Sequence, residues 1–274
     1  MIPGEFDYLR AVSVDHAIGL LTEHGEEAKL MSGGHSLLPL LKLRMARPSV
    51  VIDIRSLPEL SGVRADGNTL QIGAATPHRV LERHPLVARM APLLALAAAT
   101  IGDPQVRSRG TIGGSIAHAD PAADLPATLL ALDATVTARG PQGARRIPIK
   151  DFFVGIWQTA LEADEVLVEI EIPSHEGRPA SFQKFRQRSQ DWAIVGVAAV
   201  GGPQPAMALI NMGQTPVRAT ASEQALTAGA TAHEAAQLAD KGTEPPSDLR
   251  GDAAYRRHLA RTLTGRALAD LGLT

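Results

Sequence analysis

Apolar positions three and four apart over residues 13–24 place Val14, Ala17, Ile18 and Leu21 on one helical face. Ser13 is set to cap that helix and Gly25 to stop it. A strand over residues 28–31 follows, then a glycine turn at 32–36, a short helix over 37–44 and a strand over the largely apolar run 50–54. Alternation predicts a strand over 69–72, and residues 77–99 read as helix interrupted at Pro85 and Pro92. Residues 102–124 carry several glycines without apolar periodicity, so an ordered loop is expected there, and long loops in compact domains usually carry function. A helix over 125–132 comes next, followed by strands over 134–139 and 144–149 joined by the turn at residues 140–143, and a strand over 166–172.

Around residues 173–179 Ser, His, Gly and Pro replace the apolar pattern, which marks a boundary between residues 1–173 and 178–274. The first part divides at about residue 57 into segments 1–57 and 58–173. Beyond the boundary, strands are expected over 182–188, 193–200 and 206–212, then helices over 217–226, 232–240 and 252–271. Three strands followed by three helices make a separate unit, and the expected class for the whole chain is α+β.

Composition narrows the chemistry. The 274 residues include 44 alanines but nine Phe, Trp and Tyr, which favours close helix packing over an aromatic-filled barrel. A net charge of −2 offers no footprint for nucleic acid or an anionic membrane. With no cysteine, the chain cannot hold disulfides, thiol nucleophiles, iron–sulfur clusters or Cys-type zinc sites. The longest apolar stretch, residues 91–101, contains Pro92 and is too short to span a bilayer, and the first residues lack a basic and apolar leader. The expectation is a soluble, cytoplasmic protein.

No two glycines stand at i and i+2, so the G-x-G-x-x-G fingerprint of a Rossmann unit is absent, as are the Walker A loop, H-E-x-x-H and G-x-S-x-G. Two paired-glycine segments remain: Ser32-Gly33-Gly34-His35-Ser36 and Thr111-Ile112-Gly113-Gly114-Ser115. Glycine lets successive N–H groups face one concavity and lets the backbone approach an anion, while Ser and Thr add donors. Alone, each segment reads better as a tight turn. Facing each other, the two suit a pyrophosphate.

The strings extending these segments, residues 32–44 and 111–126, resemble the two FAD pyrophosphate-binding motifs of the medium subunit of molybdenum hydroxylases. That family includes the flavoprotein subunit of aerobic carbon monoxide dehydrogenase and the FAD domain of xanthine dehydrogenase. The resemblance continues through residues 164–173, Phe182-Gln183-Lys184-Phe185, residues 191–198, and Asp248-Leu249-Arg250-Gly251 with Tyr255-Arg256-Arg257. It implies a two-part FAD-binding domain of the vanillyl-alcohol-oxidase/PCMH type, then a small α+β domain with a three-stranded antiparallel sheet and three helices. It also implies a non-covalent FAD wrapped by Ser32, Gly33, Gly34, His35, Ser36, Thr111, Ile112, Gly113, Gly114 and Ser115. Asp124 would then bond sugar or ribityl hydroxyls, Leu167 and Val168 would lie near a ring end, and Lys184 near the flavin. Ser32 and Ser115 stand where the family often has Ala and Asn.

The resemblance implies no catalytic residue and no metal in this chain. It implies an electron-transfer subunit that accepts electrons from an iron–sulfur small subunit and passes them through FAD to an external acceptor. The [2Fe-2S] clusters and molybdenum cofactor would sit on partners, the latter on a molybdopterin-binding large subunit, in a heterotrimer or its dimer. The competing reading is a self-contained FAD-dependent oxidase or dehydrogenase of a small organic substrate. Lys184 alternates with Arg186 and Arg188, which equally describes a solvated basic strand face. His35 and His118 read as hydrogen-bonded supports, Trp192 as packing at the edge of the site, and Arg250, Arg256, Arg257 and Arg261 as a solvated or subunit-contact face.

Overall fold

The computed structural model describes residues 2–273. Its first sheet holds three parallel strands, β1 (Asp7–Arg10), β2 (Ala28–Met31) and β3 (Val50–Asp53), in the order β1-β3-β2. Burial of all four residues of the central β3 explains the run Val50, Val51 and Ile52 without alternation, and its Asp53 is buried with bonds from the Tyr8 hydroxyl and the Arg55 N–H. The helix Val14–His24 packs its Val14, Ala17, Ile18 and Leu21 here; Ser13 caps it by accepting the His16 N–H.

The second sheet is antiparallel. It contains β4 (Val63–Asp66), β5 (Thr69–Gly73), β6 (Thr135–Gly140) and β7 (Gly143–Pro148), and after a small hairpin of β8 (Phe153–Gly155) and β9 (Gln158–Thr159) it takes in β10 (Val166–Pro173). The strand order is β4-β5-β10-β6-β7. Between β5 and β6 run the helices His78–Arg83, Pro85–Met90 and Pro92–Ala99, the last two each starting at a proline, whose missing N–H costs nothing there.

The expected loop over residues 102–124 instead contains two short helices, Pro104–Arg109 and Ile112–His118, and leads into the helix Asp124–Ala131. Local capping builds them where apolar periodicity does not. Asp103 accepts the Val106 N–H at 2.8 Å with Pro104 in the first turn, and the Thr111 hydroxyl accepts the Gly114 N–H at 3.2 Å. The second glycine pair is therefore the first turn of a helix rather than part of a loop.

The C-terminal sheet has four antiparallel strands, not three: β11 (Ala180–Phe185), β12 (Val195–Val200), β13 (Ala206–Ile210) and the two-residue β14 (Val217–Arg218). The expected helix over 217–226 begins only at Thr220, because Val217 and Arg218 first pair with Leu209 and Ala208. The helices Ala232–Ala236 and Ala253–Asp270 follow. All of β12 and β13 is buried, and their period of two divides the side chains between two cores. Val197, Ala199, Met207 and Leu209 meet Leu263 and Ala267, whereas Ala198, Val200, Ala208 and Ile210 share a core with Leu125, Leu129 and Ile170. That shared core holds β11 and the residues after it against the helix Asp124–Ala131.

Candidate functional site

The first glycine segment connects β2 to the helix Leu37–Lys42. Gly34 adopts φ +76°, a left-handed conformation that favours glycine. Gly33 is required for a different reason: a Cβ there would lie 2.3 Å from the Arg109 carbonyl oxygen and 2.8 Å from the Gly110 Cα. The first segment is thus pressed against the residues just ahead of the second. The Thr111 hydroxyl donates to the Ser32 hydroxyl across the same junction at 3.2 Å. The two segments face each other, as the sequence leads one to expect.

Their N–H groups are used differently. In the second segment Ile112 donates to Thr76 O at 3.1 Å, Gly113 to Ala74 O at 2.8 Å, Gly114 to the Thr111 hydroxyl and Ser115 to Thr111 O. In the first, among the described residues, no acceptor takes the N–H groups of Gly33, Gly34, His35 or Ser36. Unpaired donors on a glycine turn form an anion-binding concavity, so the first segment holds the free donors.

Both segments line a cavity of about 980 Å³, at the top of the about 300–1,000 Å³ range of ligand pockets. Ser32, Gly33, Gly34, His35, Ser36, Thr111, Gly113, Gly114, Ser115, Asp124, Leu167 and Lys184 all border it. Ile112 and Val168 do not. Ile112 is fully buried in the core, and Val168, next to cavity-lining Leu167 on β10, points to the opposite face and packs against the first sheet's core.

Lys184 is not on a solvated face. Its ammonium lies 2.7 Å from Asp124 Oδ2, and each side chain is 4% exposed. Asp124 Oδ1 is buried with no hydrogen-bond partner. A desolvated carboxylate costs free energy unless paired, and here burial outweighs the opposing Lys184 and Arg186 charges and pushes the Asp124 pKa up to about 6. Asp124 borders the cavity, so an acceptor without a partner lies buried just behind its wall.

Three further residues complete the wall. His78 is buried, borders the cavity, and has a pKa lowered to about 4 by burial and by the His35 and Arg107 charges, so its imidazole is neutral. A Cβ on Gly110 would come within 2.9 Å of that ring. Neither His78 nor Trp157 belongs to a motif that sequence could have revealed; both reach the cavity through long-range packing. Trp192 does border it, in keeping with its expected place at the edge. Arg256 corrects the reading of the terminal helix: it is fully buried and donates to Ile194 O and to Asp248 Oδ1, tying the strand after Trp192 to the turn at residues 248–251.

Unpaired N–H groups, facing hydroxyls, an orphaned carboxylate oxygen and apolar Leu167 and Ile54 form a donor and acceptor set that fits a nucleotide with a pyrophosphate, sugar hydroxyls and aromatic rings.

Comparison with known proteins accords with that chemistry. Residues 4–175 match the family described as "FAD binding domain in molybdopterin dehydrogenase", and residues 180–271 match "CO dehydrogenase flavoprotein C-terminal domain". The carbon monoxide dehydrogenase medium chain of Hydrogenophaga pseudoflava is 43% identical, over 98% of this chain and 97% of its own. The 6-hydroxypseudooxynicotine dehydrogenase complex subunit alpha of Paenarthrobacter nicotinovorans is 40% identical, over 98% and 95%. A solved structure of the carbon monoxide dehydrogenase of Hydrogenophaga pseudoflava superposes with a TM-score of 0.95 at 44% identity, covering 99% of both chains. A structure of quinoline 2-oxidoreductase from Pseudomonas putida 86 does so with a TM-score of 0.91 at 33% identity, covering 99% and 98%. With both family matches together spanning nearly all its residues, the chain belongs to the FAD-binding subunits of the molybdopterin dehydrogenases, of the carbon monoxide dehydrogenase flavoprotein type.

Proposed function

We propose that this chain is the electron-transferring flavoprotein subunit of a molybdenum hydroxylase and that it binds one FAD non-covalently in the cavity between the two glycine segments. The observation that carries this reading is that one cavity is lined both by the four residues whose N–H groups are unclaimed and by Asp124 with its orphaned oxygen. When bound, FAD supplies the electron-carrying chemistry, and the protein supplies position and electrostatics.

In this reading Gly33, Gly34, His35 and Ser36 receive the pyrophosphate through their N–H groups, with the Ser32, Thr111 and Ser115 hydroxyls beside them. Gly113 and Gly114 allow close approach of the second segment. Asp124 accepts a ribose or ribityl hydroxyl, while Lys184 fixes its second oxygen and places a positive charge at the wall. Leu167 forms apolar surface, and Ile112 and Val168 act from behind as packing. The fold is of the vanillyl-alcohol-oxidase/PCMH type over residues 1–173, followed by a domain over 178–274.

Without cysteine this chain holds no cluster, so an iron–sulfur small subunit delivers the electrons and a molybdopterin-binding large subunit oxidises the substrate, in a cytoplasmic heterotrimer or its dimer. No helix among the described residues is long and apolar enough to cross a membrane. The test is anaerobic mixing of the FAD-loaded chain with aldehydes, purines and alcohols while flavin absorbance is followed. The flavin is expected to stay oxidised until the iron–sulfur partner is added, and acid denaturation is expected to release all of it as FAD. Bleaching by a substrate alone would instead favour a self-contained dehydrogenase.

A further inference from the structure

Among the described residues, five other than glycine have left-handed backbones: Arg44, Ala119, Asp133, Trp157 and Asn211. Ala119, Trp157 and Asn211 belong to one hydrogen-bonded frame, and of these Trp157 borders the cavity. The Trp157 N–H donates to Ala119 O at 3.2 Å, and two residues further on the Asn211 N–H donates to Pro121 O at 2.9 Å. The Asn211 amide then donates to Ala193 O at 3.0 Å and Ile194 O at 3.2 Å, which holds the segment carrying Trp192. Strained backbone at a residue that lines a cavity points to a role for the side chain it presents.

Trp157 is the extreme member. It occupies the third position of the turn Gly155-Ile156-Trp157-Gln158 that joins β8 to β9, at φ +56°. A left-handed residue at this position of a turn is ordinarily Gly or Asn, and for a bulky side chain the conformation is unfavourable. Packing within the chain does not repay it, because 63% of the indole residue stays exposed. Yet Trp157 borders the cavity, as does Trp192, and these are the chain's two tryptophans.

We propose that Trp157 is a cofactor-contacting residue whose indole lies against an aromatic ring system of the bound dinucleotide, the contact for which the strained turn is retained. This rests on the FAD-site reading above. Flat aromatic surface is what an indole at a cavity rim recognises, and FAD offers two such surfaces, isoalloxazine and adenine.

The test uses the full chain, with W157G and W157F. Glycine relieves the left-handed strain and removes the indole; phenylalanine keeps an aromatic ring. W157G is expected to unfold at or above the parent's temperature without ligand, yet to bind FAD at least tenfold more weakly, with W157F within threefold of the parent. Competition by ADP and by FMN assigns the ring: a loss shared with ADP places the indole on adenine, and one shared with FMN places it on isoalloxazine. Should W157G not fold, W157N, whose residue tolerates a left-handed backbone, is measured in the same way. FAD affinity within twofold of the parent in the folded glycine or asparagine variant would overturn the proposal and leave Trp157 a turn residue. A parent chain that binds no FAD would refute the FAD-site reading itself, which separates the two failures.

Discussion

The two glycine pairs look alike in sequence and share one division of labour, but they use their backbone donors in opposite ways. In each pair the first glycine serves packing: Gly33 against the Arg109 backbone, Gly113 against Ala74, where a Cβ would come within 2.6 Å. The second glycine serves the cavity: Gly34 by a left-handed turn, Gly114 by an exposed wall position. The first pair leaves its N–H groups free for a ligand, whereas the second bonds them to Ala74, Thr76 and Thr111. In the proposed reading one segment is the binding loop, and the other is the frame that holds it in place.

Breaking the contact between the two should have the largest effect. Gly33→Val drives side-chain atoms into the Arg109 carbonyl, which cannot yield without moving the second segment. A loss at or above the upper end of the about 1–3 kcal/mol typical of overpacking is expected, together with complete loss of FAD, read from urea unfolding and from bound flavin. Parent-like stability would mean that the segments do not touch.

The next contrast lies within the second pair. Gly113→Ala should cost about 1–3 kcal/mol, because its methyl meets Ala74 on the backbone side. Gly114→Ala should leave unfolding within about 1 kcal/mol of the parent, since alanine favours helix and its Cβ, 2.8 Å from the Thr111 hydroxyl, asks only that side chain rather than backbone to shift, but it should weaken FAD severalfold by placing a methyl on the cavity wall. Equal unfolding curves for the two variants would remove the division between packing and cavity glycines.

Asp124 gives a sharper probe of the ligand side. Its pKa in the fold is raised from 3.8 to about 6, so the fold favours the protonated form, and this group's contribution to stability declines as pH rises between those values. A hydroxyl donating to Oδ1 favours the ionised form, so FAD should bind about tenfold more tightly at about pH 7 than at about pH 5. Asp124→Asn should abolish that dependence. The smallest effect belongs to Thr111→Ala, which removes a helix cap and the bond to Ser32: about 1 kcal/mol of stability, with the N–H groups of residues 33–36 intact and FAD still bound. Loss of FAD there in a folded variant would show that the frame binds directly.

Much of this was legible along the chain because it is local. The helix Val14–His24, the strand Ala28–Met31, the glycine turn after it and the proline-divided helices announce themselves by period, cap and breaker within a few residues. The strands β8, β9 and β14 carry too few residues for a pattern to emerge, and β1 and β4 are mostly exposed, so no apolar pattern marks them. The helices Pro104–Arg109 and Ile112–His118 depend on side-chain caps rather than on an apolar face, so their sequence reads as loop.

By itself, then, the sequence determined the glycine positions and the absence of cysteine, which are properties of residue type in a short context, while Asp124 and Lys184 became residues of interest through the family resemblance. Only the tertiary structure decided that Asp124 and Lys184, 60 positions apart, form one buried pair with a single oxygen left over. It likewise decided which glycine segment keeps its donors free, which face of β10 meets the cavity, that Arg256 is interior, and that Trp157 reaches the rim in a strained turn. These depend on which distant groups arrive to claim a proton, an oxygen or a volume, and a hydrogen bond or a steric contact exists only between partners that the fold has brought within a few ångströms.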